Sequence, residues 1–293
     1  MKRLSGLFSG PKTSFQILSD LNLHHESQYL TFHIPVTAPY LILAGNIGRL
    51  ADYNAYLSFL IRRCNLYEKV YLVLGSLEFH SLSLREGLYL AGRLEKEPGL
   101  KSRLEILYRA RADVPGTNVT LVGCTLWSHI PAAAEPAVAK KIAEFEPSGG
   151  IRGWGVAAHN AEHERDLAWL RGQVQAGAAA AAAAASASAS RPVVVVVSSF
   201  APEMRETLPP WQVDAPWSSA YGTELLSGME WGGVKAWVCG ATGRSTEFKR
   251  NGIKVVSNQR GFAGEEEKGI LEDGISEKAK KGLFDVTKTV KIG

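Results

Sequence analysis

The sequence predicts an α/β fold, and three observations carry the prediction. Short apolar runs such as Tyr40-Leu41-Ile42-Leu43-Ala44 and Val70-Tyr71-Leu72-Val73-Leu74 each end in glycine, as buried parallel strands do. Segments with apolar residues at helical spacing lie between them. The chain has 293 residues and is 45% apolar, enough for one large domain with a full core.

Taken in order, Phe15-Gln16-Ile17-Leu18 reads as a first strand and residues 40–44 and 70–74 as the next two. Between the latter, Asp52 to Cys64 places Tyr53, Tyr56, Leu57, Leu60 and Ile61 on one helical face, with Asp52 as N-cap. This makes a β-α-β unit, whose crossover is expected to be right-handed. Leu84 to Lys96 reads as a second amphipathic helix. Leu104 to Tyr108 and Val119 to Gly123 begin the second half as strands. Ala133 to Phe145 is helical and is expected to cover the mouth of a site. A longer helix spans Ala158 to Gln175, with Glu162, Glu164 and Asp166 in its first half, favourable against the helix dipole. Val193 to Val197 is a β-branched, fully buried strand, and Ala236-Trp237-Val238-Cys239 follows it. Thr246 to Arg250 and Lys254 to Ser257, split by Asn251-Gly252, read as a hairpin with a type I′ turn. Residues 176–190 are a low-complexity insertion whose alanine run favours helix and whose Ser-Ala end reads as a linker. The expected organisation is one domain over residues 1–262 and a charged, solvated tail over 263–293.

The net charge of +4, from 33 basic and 29 acidic residues, is too mild to predict nucleic-acid binding, and no basic stripe with interleaved aromatics stands out. The start, Met1-Lys2-Arg3-Leu4-Ser5-Gly6-Leu7-Phe8, lacks the apolar core of a signal peptide. No segment approaches the roughly 18 apolar residues of a membrane span. Cys64, Cys124 and Cys239 are an odd count without metal spacing, expected as buried free thiols in a reducing compartment. The expectation is therefore a cytoplasmic protein with no nucleic-acid or membrane partner. Its oligomeric state is left open.

Five short segments sit at or just after strand ends, where open α/β sheets place ligands. They are Ser19-Asp20-Leu21-Asn22, Ala44-Gly45-Asn46-Ile47, Leu74-Gly75-Ser76-Leu77-Glu78, Val197-Ser198-Ser199-Phe200-Ala201-Pro202 and Gly240-Ala241-Thr242-Gly243. In order and spacing they resemble the D-x-H, G-D, G-N-H-E, T-H-H-A-P-like and G-H-T-H motifs of the calcineurin-like metallophosphoesterases, in particular a fungal group of single-domain members. The likeness extends to residues 123–128, His159-Asn160, Asn258-Gln259-Arg260-Gly261-Phe262 and a tail ending Leu283-Phe284-Asp285. It implies a four-layer α/β/β/α sandwich in the metallophosphoesterase manner.

The resemblance also implies two divalent metals held by Asp, His and Asn side chains, yet only Asp20 keeps its residue type. Asn22 and Ser199 replace ligand histidines, Asn46 the bridging Asp, Ser76 the Asn ligand, and Leu77 the catalytic His. Phe200 stands where a second His often follows, and Ala241 and Gly243 replace the last two. Two dications about 3.5–4 Å apart need a bridging carboxylate to offset their repulsion. An amide offers only a neutral oxygen, and Leu, Phe, Ala and Gly offer no side-chain donor. No metal and no cofactor are expected at this site. A metal pocket stripped this way becomes partly apolar with a few polar groups, the general character of a small-molecule site.

The expectation is a metal-free cleft that binds a small organic molecule and catalyses a metal-independent isomerisation, cyclisation or elimination. Asp20 with His24 or His25, and Glu78 with His80, are the acid–base candidates. The resemblance gives Glu78 a second role, steadying its loop. Asn22, Asn46, Ser76, Leu77, His129, Ser199, Phe200, Trp217, Ala241 and Gly243 are expected to line the pocket. The Pro-rich loop carrying Trp211 and Trp217 is a candidate wall or lid. Cys239, beside the last motif, is an alternative nucleophile without an evident base. His159 and His163, four apart, are expected on an exposed helix face. Two other functions stand beside this one: a non-catalytic module that binds a protein, and a residual single-metal phosphoesterase.

Overall fold

The computed structural model describes residues 12–186, 192–228, 230–261 and 283–293. The chain runs β1 (Thr13–Leu18), β2 (Tyr40–Ala44), α1 (Tyr53–Leu66), β3 (Lys69–Val73), α2 (Leu84–Leu94), β4 (Leu104–Ile106), β5 (Ala110–Asp113) and β6 (Val119–Cys124). It continues through α3 (Glu135–Lys141), α4 (Val156–Ser186), β7 (Val193–Ser198), β8 (Val234–Cys239), β9 (Thr246–Arg250), β10 (Ile253–Ser257) and β11 (Thr289–Ile292). The strands form two sheets, ordered β11-β1-β2-β3-β4 and β5-β6-β7-β8-β10-β9. Each has a parallel centre and antiparallel pairing at an edge: β11 on β1 in one, β5 on β6 and β9 on β10 in the other.

Burial on both faces explains why the central strands are continuous apolar runs. One face of the first sheet, through Phe15, Ile17, Ile42 and Tyr71, meets Leu121, Val195, Val197 and Val238 of the second. Its other face, through Leu41, Leu43 and Leu72, packs on Tyr56, Phe59 and Leu60 of α1 and Ala91 and Leu94 of α2. The outer face of the second sheet, through Val122, Val194 and Val196, packs on Leu167, Leu170 and Val174 of α4. The result is a four-layer α/β/β/α sandwich. Among the described residues, no helix is long and apolar enough to cross a membrane.

Several expectations are refined. Asp52 precedes α1 as expected, but its side chain makes no cap bond. It accepts instead from the Tyr29 hydroxyl at 2.9 Å and from the Arg49 guanidinium at 3.0 and 3.1 Å. α2 carries a full capping box, Ser83 with Glu86. β5, Ala-Arg-Ala-Asp, is too polar to be read as a strand and forms because Thr120 and its β6 neighbours offer a pairing edge. The alanine run does extend α4, as far as Ser186, while 187–190 lie outside the described residues. Asn251 and Gly252 both take positive φ, 48° and 82°, as a type I′ turn requires. Part of the expected solvated tail is instead structural: β11 pairs with β1, with Val290 and Ile292 buried. The expected leader-free start, Phe262 and the charged stretch to residue 282 lie outside the described residues.

Candidate functional site

The loops that follow β1, β2, β3 and β8 converge at one end of the sandwich on a cleft of about 440 Å³. Asp20, Asn22, Asn46, Ser76 and Leu77 lie along one side, and Ala241, Thr242, Gly243 and Gly261 along another. The end of α3 and the residues after it (Lys141, Ile142, Ala143, Glu144) close the mouth together with Pro209, Trp211, Gln212 and Tyr221. Phe200 and His80 complete the lining. Asp20, Asn22, Asn46 and Ala241 all sit in the left-handed backbone region, with φ of 52°, 50°, 55° and 63°. Asp and Asn tolerate that region through their short polar side chains, whereas Ala241 takes it at a cost of about 1–2 kcal/mol. Such strain persists where the surroundings over-determine the loop, and these four positions all line the cleft.

Polar bonding fastens the floor. Asp20 Oδ1 accepts from Asn46 Nδ2 at 2.9 Å, and Asp20 Oδ2 accepts from the Ala241 N–H at 3.0 Å. Asn46 Oδ1 accepts in turn from the Leu77 N–H at 3.1 Å. Asn22 Nδ2 donates to the Asp20 and Gly261 carbonyls, 3.0 and 3.3 Å away. Gly75 and Gly240 permit these close approaches. A Cβ on Gly75 would overlap Asn46 and Ser199, and one on Gly240 would overlap Asp20 Oδ2. Burial pushes the Asp20 carboxyl up to about 6, against its hydrogen bonds to Asn46 and Ala241.

Glu78 is fully buried beneath this floor. It accepts from the N–H groups of Asn46 (3.0 Å), Ile47 (2.8 Å), Gly48 (3.4 Å) and Gly75 (2.8 Å), and from the Tyr56 hydroxyl (3.0 Å). It binds the loops after β2 and β3 to each other and does not line the cleft. Burial raises it to about 7 while these donors pull it down. His80 does line the cleft; burial lowers its imidazole, partly offset by Glu144, and its Nε2 is buried without a hydrogen-bond partner.

The other expected site residues are distributed differently. His24 and His25 lie with ring centroids 4.2 Å apart, tilted at 44°, and line two other depressions, one with Tyr29, Arg49 and Asp52, the other with Gln28 and Arg260. Neither lines the cleft that holds Asp20. Ser199 is wholly buried, packed against Gly45 and Gly75, and its Oγ has no partner. Trp217 packs beside Ile130, Val138 and Ile142, and its neighbour in the loop, Trp211, is the one that walls the cleft, 71% exposed. His129 is exposed and faces His163 with ring centroids 5.8 Å apart, away from the cleft lining. His159 and His163 are buried, not exposed: His159 Nε2 lies 3.0 Å from Ser128 Oγ, and His163 Nδ1 bonds the Trp127 carbonyl. Cys239 is fully buried and burial holds its thiol far above the ordinary range, which leaves it protonated and inert. Lys141, Glu144, Gln212 and Tyr221 were not anticipated, because they reach the cleft through tertiary packing that local pattern does not encode.

The donor set does not fit a dinuclear metal centre. Both Asp20 oxygens already accept N–H bonds, and the Asn46 carbonyl oxygen is engaged by Leu77. Leu77, Phe200, Ala241 and Gly243 bring no donor side chain to the cleft.

In architecture, the chain matches a phosphopantetheinyl hydrolase from Mycobacterium tuberculosis with a TM-score of 0.60 and 15% identity, over 91% of this chain and 94% of that one. The chain has a metallophosphoesterase-like fold. A dimetal phosphatase from Danio rerio matches with a TM-score of 0.45 and 12% identity, over 85% of this chain and 88% of that one. No protein-family profile matches the chain, and no curated protein matches it in sequence.

Proposed function

We propose that this metallophosphoesterase-like chain binds a small organic molecule in the cleft without a dinuclear metal centre. One observation carries the reading: the single carboxylate at the cleft floor spends both oxygens on N–H donors while Leu77, Phe200 and Trp211 supply apolar wall. A volume of about 440 Å³ falls within the range of small-molecule pockets. If turnover follows, Asp20 and His80 are the proton-handling groups, because both line the cleft and burial disfavours the charged form of each, raising the Asp20 carboxyl and lowering the His80 imidazole. Neither His24 nor His25 lines this cleft, and Glu78 steadies the loops. The chemistry in reach is proton transfer on a bound organic molecule, as in an isomerisation, cyclisation or elimination.

The test compares wild type with Asp20→Asn after loading with Mn²⁺, Fe²⁺ or Zn²⁺ and desalting, alongside native mass spectrometry for co-purifying organic molecules. Equal metal content in the two proteins, with an organic adduct weakened in Trp211→Ala, is expected. Two metals per chain in wild type that disappear in Asp20→Asn would sink the proposal.

A further inference from the structure

We propose that His129, His163 and Glu164 form a separate site for one divalent transition metal, of the class that favours imidazole and carboxylate donors, with zinc as the representative ion. Their ligand atoms all lie within 4.8 Å of one another. His163 and Glu164 are neighbours on α4, and His129 comes from the loop after β6, so the ion would bridge helix and loop.

Two features make this a built arrangement. The first is the state of His163. Its side chain is 2% exposed, and its Nδ1 is bonded to the Trp127 carbonyl. A carbonyl can only accept, so Nδ1 carries the proton and Nε2 the lone pair. That is how metal-bound histidines are usually held: a second-shell carbonyl fixes the ring and its tautomer. The second is how firmly the loop is clamped to the helix. Asn160, one turn before Glu164, accepts from the Ile130 N–H at 2.9 Å and donates to the Ile130 carbonyl at 2.8 Å. The His129 N–H donates to Thr223 Oγ1 at 2.9 Å, and Ser128 Oγ meets His159 Nε2 at 3.0 Å. The residues on either side of His129 are therefore fixed before any ion arrives.

Zinc–ligand bonds of about 2.0–2.1 Å in a tetrahedron bring donors to about 3.4 Å from each other. Because His129 and Glu164 are exposed, their side chains close the remaining gap by rotation, while the buried His163 stays in place. Two imidazoles and one carboxylate leave a coordination position for water. The other charge facing His163 is Arg171, which is paired with Glu230 at 2.9 Å.

The test uses untagged full-length protein treated with chelator and desalted. Calorimetric titration with Zn²⁺ is run on wild type, His129→Ala, Glu164→Gln and Asp20→Asn, with thermal unfolding of each with and without zinc. The substituted positions 129 and 164 are exposed, so those variants should fold. One zinc per chain in wild type, weakened at least about tenfold in His129→Ala and Glu164→Gln and unchanged in Asp20→Asn, supports the site. A zinc-dependent rise in unfolding temperature that vanishes in His129→Ala supports it too. No zinc binding at all overturns this site alone and leaves the metal-free cleft intact. Zinc that is lost in Asp20→Asn but kept in His129→Ala overturns both.

Discussion

Burial pushes the Asp20 carboxyl from its ordinary value of 3.8 up to about 6. Between those values the folded chain holds a proton that the unfolded chain has released, so stability falls as pH rises through the window. Below about pH 4 the penalty is absent, and above about pH 6 it is complete, at about 3 kcal/mol. Glu78 and Asp166, also raised by burial, act in the same direction but are common to wild type and variant. In Asp20→Asn the Asp20 contribution disappears, so the stability difference between the two proteins should change with pH only between about 4 and 6. Urea unfolding at several pH values reads this directly, and a pH-independent difference would show that Asp20 does not titrate there. Glu78 makes a second case at the same scale. Its Oε1 accepts from Ile47, Gly48 and Tyr56, and its Oε2 from Asn46 and Gly75. Glu78→Gln turns one oxygen into a donor and leaves at least two buried donors facing it. Orphaned donors cost about 1–3 kcal/mol each, so a loss of about 2–6 kcal/mol is expected in denaturant unfolding. A change under about 1 kcal/mol would mean that the loops re-pair without it.

Trp211 belongs to a loop whose contribution to the cleft is almost purely a matter of wall, since the side chain is 71% exposed. Trp211→Ala should leave stability within about 0.5 kcal/mol. It should weaken a bound organic molecule about tenfold or more, as loss of a large apolar contact does. Thermal unfolding and ligand titration on one preparation separate the two, and unchanged affinity would remove the loop from the site. The same loop shows where sequence pattern stops. Trp211 and Trp217 stand six positions apart among prolines, and nothing local distinguishes the one on the cleft from the one packed under α3. The strands were legible because parallel strands buried on both faces must be continuous apolar runs, as in β2 and β7. The floor of the cleft was legible for a related reason: its residues follow strand ends directly, so topology carries Asp20, Asn46, Leu77 and Ala241 to one place. His24 and His25 line depressions beside the cleft instead, and local pattern does not say which depression a loop residue enters. His163 was misread because helical spacing does not reveal which face a neighbouring loop will cover.

At the scale of the whole molecule, the chain closes on itself through its last described residues. β11 pairs antiparallel with β1, matching Thr13 to Ile292 and Gln16 to Thr289. Asn258, just past β10, donates to the Ile17 carbonyl at 2.7 Å and the Asp285 carbonyl at 2.8 Å, and accepts from the Asp285 N–H at 3.0 Å. Gln16 Nε2 donates to the Val286 carbonyl at 2.6 Å, and Lys288 reaches Glu247 of the second sheet at 2.8 Å. The terminal segment thus touches both sheets, and it holds Asn258, whose carbonyl accepts from the N–H of Ser19, the residue before Asp20, at 2.9 Å. Removing residues 283–293 would expose Val290 and Ile292's places in the inter-sheet core and leave β1 as an open edge. Two buried aliphatic side chains are worth about 3–6 kcal/mol, a large share of a typical net stability. Unfolding about 10 °C lower is expected, together with self-association, since an uncovered strand edge is a template for pairing with another chain. Thermal unfolding and light scattering of the shortened protein measure both. A truncated chain that melts unchanged would mean that β1 needs no cover, and that the Asn258 bonds alone hold the first loop of the cleft.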